Sequence, residues 1–197
     1  MFLSCFISTG TVTDTNLQTR LSSYSFASTS IRIYSRNIKK IPPFAFHEFT
    51  AVTFLDLHSN PLSSNLYCNS FANVSTLGTL YMYSCQLIVF PDVSKLKHLT
   101  HLNLDKNMIS YIPRPQSHVA NFSSSVTLKL NSNPLVCIDG AVFSKAPNIN
   151  LLDLQNSKAR MTLFPACSEN SNSNLQTLQF SGSNVFSSPQ CLIFVHF

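Results

Sequence analysis

The feature that most constrains this chain is internal repetition. The segment Leu99-Thr-His-Leu102-Asn-Leu104-Asp-Lys-Asn107-Met-Ile109-Ser-Tyr-Ile112-Pro113 reads L-x-x-L-x-L-x-x-N-x-I, and the same frame recurs along most of the sequence. From Val52 it gives Leu55, Leu57, Asn60 and Leu62; from Leu77 it gives Leu80, Met82, Cys85 and Leu87; from Ser125 it gives Leu128, Leu130, Asn133 and Leu135. Weaker copies start at Ser28 (Ile31, Ile33, Ile38), at Ile149 (Leu152, Leu154) and at Leu175 (Leu178, Phe180, Val185). The starts at 28, 52, 77, 99, 125, 149 and 175 lie 24, 25, 22, 26, 24 and 26 residues apart. A unit this short buries its apolar face only against its neighbours, so the copies must stack into a solenoid.

The L-x-L alternation predicts a short strand with one buried face, and strands repeated side by side predict a parallel sheet. At the ninth position, Asn60, Asn107 and Asn133 place an amide where a tight coil leaves backbone groups unpaired, and Cys85 is a small polar substitute there. Arg36, Ser157 and Ser183 depart from that ladder, so the first and the last two repeats are expected to be less regular. The return side has its own register. Six residues before the next start stand Phe46, Phe71, Val93, Val119 and Phe143; three before it stand Phe49, Val74, Leu96, Phe122 and Ala146. These two columns are expected to fill the other half of the core, and they break at Glu169 and Asn172 inside a polar loop.

Composition narrows the function classes. Hydrophobic residues make up 44% and charged residues 11% of the 197, which supports an ordered chain, while only four Gly argue against many glycine turns. The net charge is +5, but the thirteen Lys and Arg are scattered, with Lys39-Lys40 the one adjacent pair, which reads as a solvated basic surface and not a nucleic-acid site. No run reaches the roughly 18 to 20 apolar residues of a membrane span, and the opening residues make no convincing secretion signal. The six Cys form no C-x-x-C pair, and no phosphate-binding glycine loop or cofactor motif is present. His98, His101 and Asp105 are the nearest approach to a catalytic set, but no nucleophile or oxyanion site converges on them, so no enzyme is expected.

With its repeats in frame from 28 to 189, the chain resembles the leucine-rich repeat family, and its I-x-x-I-P and F-x-x-V/L elements are similar to the class found in Toll-like receptor ectodomains, Slit proteins and small proteoglycans. The resemblance implies an α/β solenoid: a horseshoe with a parallel concave sheet and irregular or 3-10 convex segments. It also implies end caps. Residues 1–27 and the apolar tail 190–197 show no cap pattern, which leads to the expectation of a fragment, a truncated gene model or a part of a longer receptor.

In the family the outward strand positions form a concave face that commonly binds proteins. Here they are Arg32, Asp56, Tyr81, Asn103, Lys129, Asp153 and Gln179 in one column and Tyr34, His58, Tyr83, Asp105, Asn131, Gln155 and Ser181 in the next. Tyr81 and Tyr83, flanked by Asp56, His58, His101 and Asp105, form the densest mixture of aromatic and ionisable groups; with Asn103 and Lys129 they are the expected ligand surface for a protein or glycan. The sequons Asn73-Val-Ser75 and Asn121-Phe-Ser123 share one register between the convex columns, where a glycan would be exposed. Pro165-Ala-Cys167 and Pro189-Gln-Cys191 are equivalent on adjacent coils, so a Cys167 to Cys191 disulfide is expected, two buried thiols being the alternative. These features predict a secreted or cell-surface recognition module, with an intracellular adaptor as the competing reading.

Overall fold

The computed structural model describes residues 15–63, 66, 69–112, 125–135, 149–157, 177–179 and 195–196. Helix α1 (Thr15–Leu21) precedes eight short strands, β1 (Ser30–Arg32), β2 (Phe54–Asp56), β3 (Thr79–Tyr81), β4 (His101–Asn103), β5 (Val126–Lys129), β6 (Ile149–Asp153), β7 (Thr177–Gln179) and β8 (Val195–His196). All pair in parallel in chain order, one sheet with no crossover. Ile31, Leu55, Leu80, Leu102, Leu128, Leu152, Leu178 and Val195 align across it as one row. The solenoid expected from the spacing is therefore the fold. Strand β8 lies past the end of the repeat frame: Leu192, Val195 and Phe197 restate L-x-x-L-x-L only 17 residues after Leu175 (192 − 175), a spacing shorter than any earlier one.

The strands stay short because the chain turns inward directly after them. Asp56, Asn103 and Asp153 each use Oδ1 to accept the N–H two residues on, from His58 (3.1 Å), Asp105 (2.9 Å) and Gln155 (3.1 Å). This Asx turn draws the backbone out of the extended path. The next residue but two adopts a left-handed conformation in six coils: Ser35, Ser59, Ser84, Lys106, Ser132 and Asn156 have φ of 52°, 55°, 56°, 55°, 58° and 53°. None is glycine. Scarcity of glycine argued against many glycine turns, and the turns are made by other residues, each at a cost on the order of 1–2 kcal/mol that the coil must offset. Part of the offset is visible, since Ser35, Ser59, Ser84, Lys106 and Ser132 each donate their N–H to a carbonyl of the following coil at 2.8–3.0 Å.

The residue after each left-handed turn is the ladder position, and its amide does the larger share. Asn107 Nδ2 donates to the carbonyls of Met82 and Leu104, both at 2.8 Å, and its Oδ1 accepts from the N–H groups of Cys85 (2.9 Å) and Leu87 (3.0 Å). Asn60 repeats the pattern on Ile33, Leu57, Arg36 and Ile38, and Asn133 bonds Leu104, Leu130 and Ile109. Cys85 keeps one arm, its thiol donating to Leu57 O at 3.2 Å; burial pushes that thiol up to about 11 against the opposing backbone N–H groups of Asn60 and Ser59. Ser157, expected to break the ladder, donates its hydroxyl to Leu154 O at 2.7 Å and is fully buried.

The convex columns pack as expected wherever they are described: Phe46, Phe71, Val93, Phe49, Val74 and Leu96 are buried in the same core as the strand leucines. Val119, Phe122, Phe143 and Ala146 lie outside the described residues. Successive i to i−3 bonds, such as Phe49 to Phe46 and Leu96 to Val93, tighten this side into turns.

The described part of the segment before β1 covers the first coil. Leu17 and Leu21 of α1 are buried in the core, and Asn16 donates to Arg36 O at 2.7 Å. The Tyr24 hydroxyl donates to Arg32 O (2.7 Å) and accepts from Arg32 N (3.0 Å), so one phenol occupies both main-chain groups of Arg32 on the free edge of the sheet. Cysteine-based reasoning misses this because the cover is built from leucines and one tyrosine.

Asn107→Ala strands four buried backbone groups and is expected to lower the unfolding free energy by about 3 kcal/mol, whereas Cys85→Asn restores the missing bonds and gains about 1 kcal/mol; urea denaturation measures both. Tyr24→Phe should speed exchange of the Arg32 amide at least tenfold and leave that of Ile33, which is bonded to Asp56 O, unchanged.

Candidate functional site

On the concave face, coil-to-coil register brings outward side chains of β1, β2 and β3 and the residues just after them into one network. Tyr34, His58 and Tyr83 occupy equivalent positions and stack face to face: Tyr34 on His58 at 4.6 Å and 11°, His58 on Tyr83 at 4.3 Å and 10°. Phe54 meets Tyr81 edge-on at 5.3 Å, Tyr81 leans on Tyr83 at 6.3 Å, and the Arg32 guanidinium sits 4.6 Å over the Phe54 ring.

Asp56 anchors this network from below. Its Oδ1 accepts from both the backbone N–H of His58 and the ring Nδ1, the latter at 2.7 Å, and the two side chains are 10% and 18% exposed. A carboxylate oxygen only accepts, so the shared proton belongs to Nδ1, and in the neutral form of the ring the lone pair is on Nε2. Stacking on both faces prevents the imidazole from turning. Burial, then Asp56, Tyr81, Cys85 and Tyr34, raise the Tyr83 phenol above its usual 10.0, which keeps it protonated as a hydrogen-bonding group.

Four of the expected ligand residues, Asp56, His58, Tyr81 and Tyr83, are therefore brought together. The other four stand beside them without joining the ring contacts. His101 is exposed, its Nδ1 3.0 Å from Thr100 Oγ1. Asn103 is spent on its Asx turn, Asp105 Oδ1 accepts Asn131 N at 2.8 Å, and Lys129 is exposed. Asp56 itself is 7% exposed, so it acts through His58 more than by direct contact. Arg32, Tyr34 and Phe54 were left out of the expected surface. Arg32 and Tyr34 lie in the outward columns but outside the patch centred on Tyr81 and Tyr83. Phe54 is the register equivalent of His101, which the expected surface includes, so an aromatic at that position was a usable signal.

Burial raises the Asp105 carboxyl above its usual 3.8, with Asp153 adding to the shift and the Asn131 N–H, Lys129 and Lys106 opposing it. Among the described residues no group of three His, Cys, Asp or Glu is placed to hold a metal ion, and no helix is long and apolar enough to cross a membrane. Asn73 is exposed, between buried Ala72 and Val74, with φ of 72°. Asn121, Cys167 and Cys191 lie outside the described residues.

No family model matches the chain. Among curated proteins it is similar to Podocan-like protein 1 of Mus musculus, with 29% identity over 125 residues, 63% of this chain and 22% of that protein. It is likewise similar to Keratocan of Gallus gallus, with 30% identity over 137 residues, 68% of this chain and 37% of that protein. The chain thus spans between about a fifth and two fifths of those relatives. Among solved structures, a chain of the octameric complex of Latrophilin 3, Unc5D and the leucine-rich repeats of FLRT2 superposes with a TM-score of 0.51 at 19% identity, covering 76% of this chain and 51% of that one.

The Asp105 shift has a sign that can be tested. Folded Asp105 holds its proton to higher pH than the unfolded side chain, so its burial is free of penalty below the ordinary carboxylate range and stability is lost as pH rises through the folded value. Asp105→Asn keeps the acceptor for Asn131 N and removes the charge. It is expected to raise the thermal midpoint by about 1–2 °C at pH 7, a figure held low because the side chain is partly solvated, and to make no difference near pH 3.

Proposed function

The chain belongs to the leucine-rich repeat family, and we propose that it is a recognition module of a secreted or cell-surface protein, whose concave face over β1–β3 binds a protein ligand. The observation that carries this reading is the network of Arg32, Tyr34, Phe54, His58, Tyr81 and Tyr83. Aromatic and arginine side chains dominate binding energy at protein interfaces, and rings already held by one another lose little freedom on binding. The extracellular setting is supported by the two relatives, which are small leucine-rich proteoglycans, and by the exposure of the sequon residue Asn73. No reaction is part of the proposal: His101 and Asp105 take separate partners, Thr100 and Asn131.

The test is a binding screen against an arrayed panel of cell-surface and secreted ectodomains. A ligand of the proposed kind loses at least tenfold in affinity with the Tyr81→Ala/Tyr83→Ala protein and is unaffected by Lys95→Ala on the exposed convex side. Ligands insensitive to the tyrosine pair would move the site off the concave face. For the setting, mass mapping of the endogenous protein is expected to find an N-glycan on Asn73 and on Asn121; unmodified sequons would return the chain to the intracellular adaptor reading.

A further inference from the structure

The concave face differs in charge from the rest of the molecule. The outward residues of β2, β3 and β4 and of the turns just after them are Phe54, Asp56, His58, Thr79, Tyr81, Tyr83, His101, Asn103 and Asp105. They include two carboxylates and neither a Lys nor an Arg, in a chain whose net charge is +5. Cations stand only at the borders of this strip. Arg32 is drawn over the Phe54 ring on one side, and Lys129 and Lys106 lie near Asp105 on the other.

At the centre stands an oriented acceptor. With Nδ1 committed to Asp56 at 2.7 Å, Nε2 is on the opposite edge of a ring that Tyr34 and Tyr83 hold from both faces. Nε2 is the ring nitrogen that Asp56 does not take, and in the neutral ring it carries the lone pair. The groups packed against His58 are Asp56 from its own coil, Tyr34 from the coil of β1 and Tyr83 from the coil of β3. The stack also turns ring edges outward, since the faces of His58 are covered. Sugar rings and sulfated chains would find few free aromatic faces and two carboxylates there.

We propose that the strip over β2–β4 is a docking face for a protein that presents a basic side chain, an arginine or lysine, whose N–H donates to Nε2 of His58. This rests on the concave-face reading above and adds to it the charge class of the partner. The aromatic rings supply apolar contact for the methylene stem, and Asp105 supplies a second, partly desolvated negative charge.

Fluorescein-labelled hexa-arginine and hexa-lysine serve as probes, with hexaglutamate and a sulfated oligosaccharide as controls, read by anisotropy at pH 7.5. The cationic peptides are expected to bind despite the protein's positive net charge. His58→Phe, which keeps the ring stack and removes the acceptor, should weaken them about tenfold, and Asp105→Asn about threefold. Thr79→Lys places a cation in the strip without touching His58, and is expected to abolish binding even if His58→Phe does not fold. No binding of the cationic peptides, equal binding by Asp105→Asn and Thr79→Lys, or a sulfated oligosaccharide that binds wild type and is lost in His58→Phe would each overturn the proposal. If the tyrosine pair governs ectodomain binding while the cationic peptides do not bind, the concave face stands and the basic partner falls.

Discussion

Everything on this molecule's concave face depends on a buried amide. A coil that turns inward after three strand residues leaves backbone donors and acceptors facing the core, where each unpaired group costs about 1–3 kcal/mol. Asn60 and Asn107 each answer with one bond within their own coil and three reaching into the preceding one. Because the same side chain satisfies two coils, it also sets their relative position. Tyr34, His58 and Tyr83 fall into a stack because the coils carrying them are locked in register by Asn60 and Cys85 behind the sheet.

Curvature follows from what fills the two sides. Adjacent coils on the concave face bring Tyr34, His58 and Tyr83 to ring separations of 4.6 and 4.3 Å, while on the convex side Phe46 and Phe71 stand 6.2 Å apart. Parallel strands cannot spread beyond their hydrogen-bonding distance of about 4.8 Å. The bulk of the phenylalanine columns therefore opens the outer side and compresses the inner one. Crowding of that kind selects side chains that are flat, such as the stacked rings, or that fold back on their own backbone, as Asp56, Asn103 and Asp153 do.

Much of this was legible in the sequence because the core obeys spacing. The row Ile31 to Leu178, the amides and the convex columns each recur at fixed offsets, and a periodic signal survives single substitutions such as Cys85. What was not legible does not repeat. Tyr24 reaches Arg32 across a unique segment, the eighth strand follows a shortened spacing, and Ser157 looked like a break although its hydroxyl reaches the carbonyl an amide would have taken. The proposed binding surface lies between these cases. The outward columns were readable as positions, but whether a polar residue in them faces a ligand or its own backbone depends on side-chain direction, which placed Asn103 among the turn-formers and added Phe54 to the ring network.

The boundary of that network has a physical cause. The column that carries Tyr34, His58 and Tyr83 continues with Asp105 and Asn131, and there ring-on-ring contact gives way to a carboxylate bonded to the backbone of the next coil. A charge in that place is not the choice that favours stability, since burial raises the Asp105 carboxyl and an amide would accept the same N–H without desolvation. Stability therefore does not account for the carboxylate, whereas an acidic border on an aromatic platform fits the proposed recognition of a partner. The platform itself is preorganised by contacts made on folding: imidazole held on both faces, guanidinium seated over a ring, carboxylate fixed to Nδ1. Residues ordered in this way lose little further freedom when a partner arrives, and that separates this part of the sheet from the amide and hydroxyl residues that follow it.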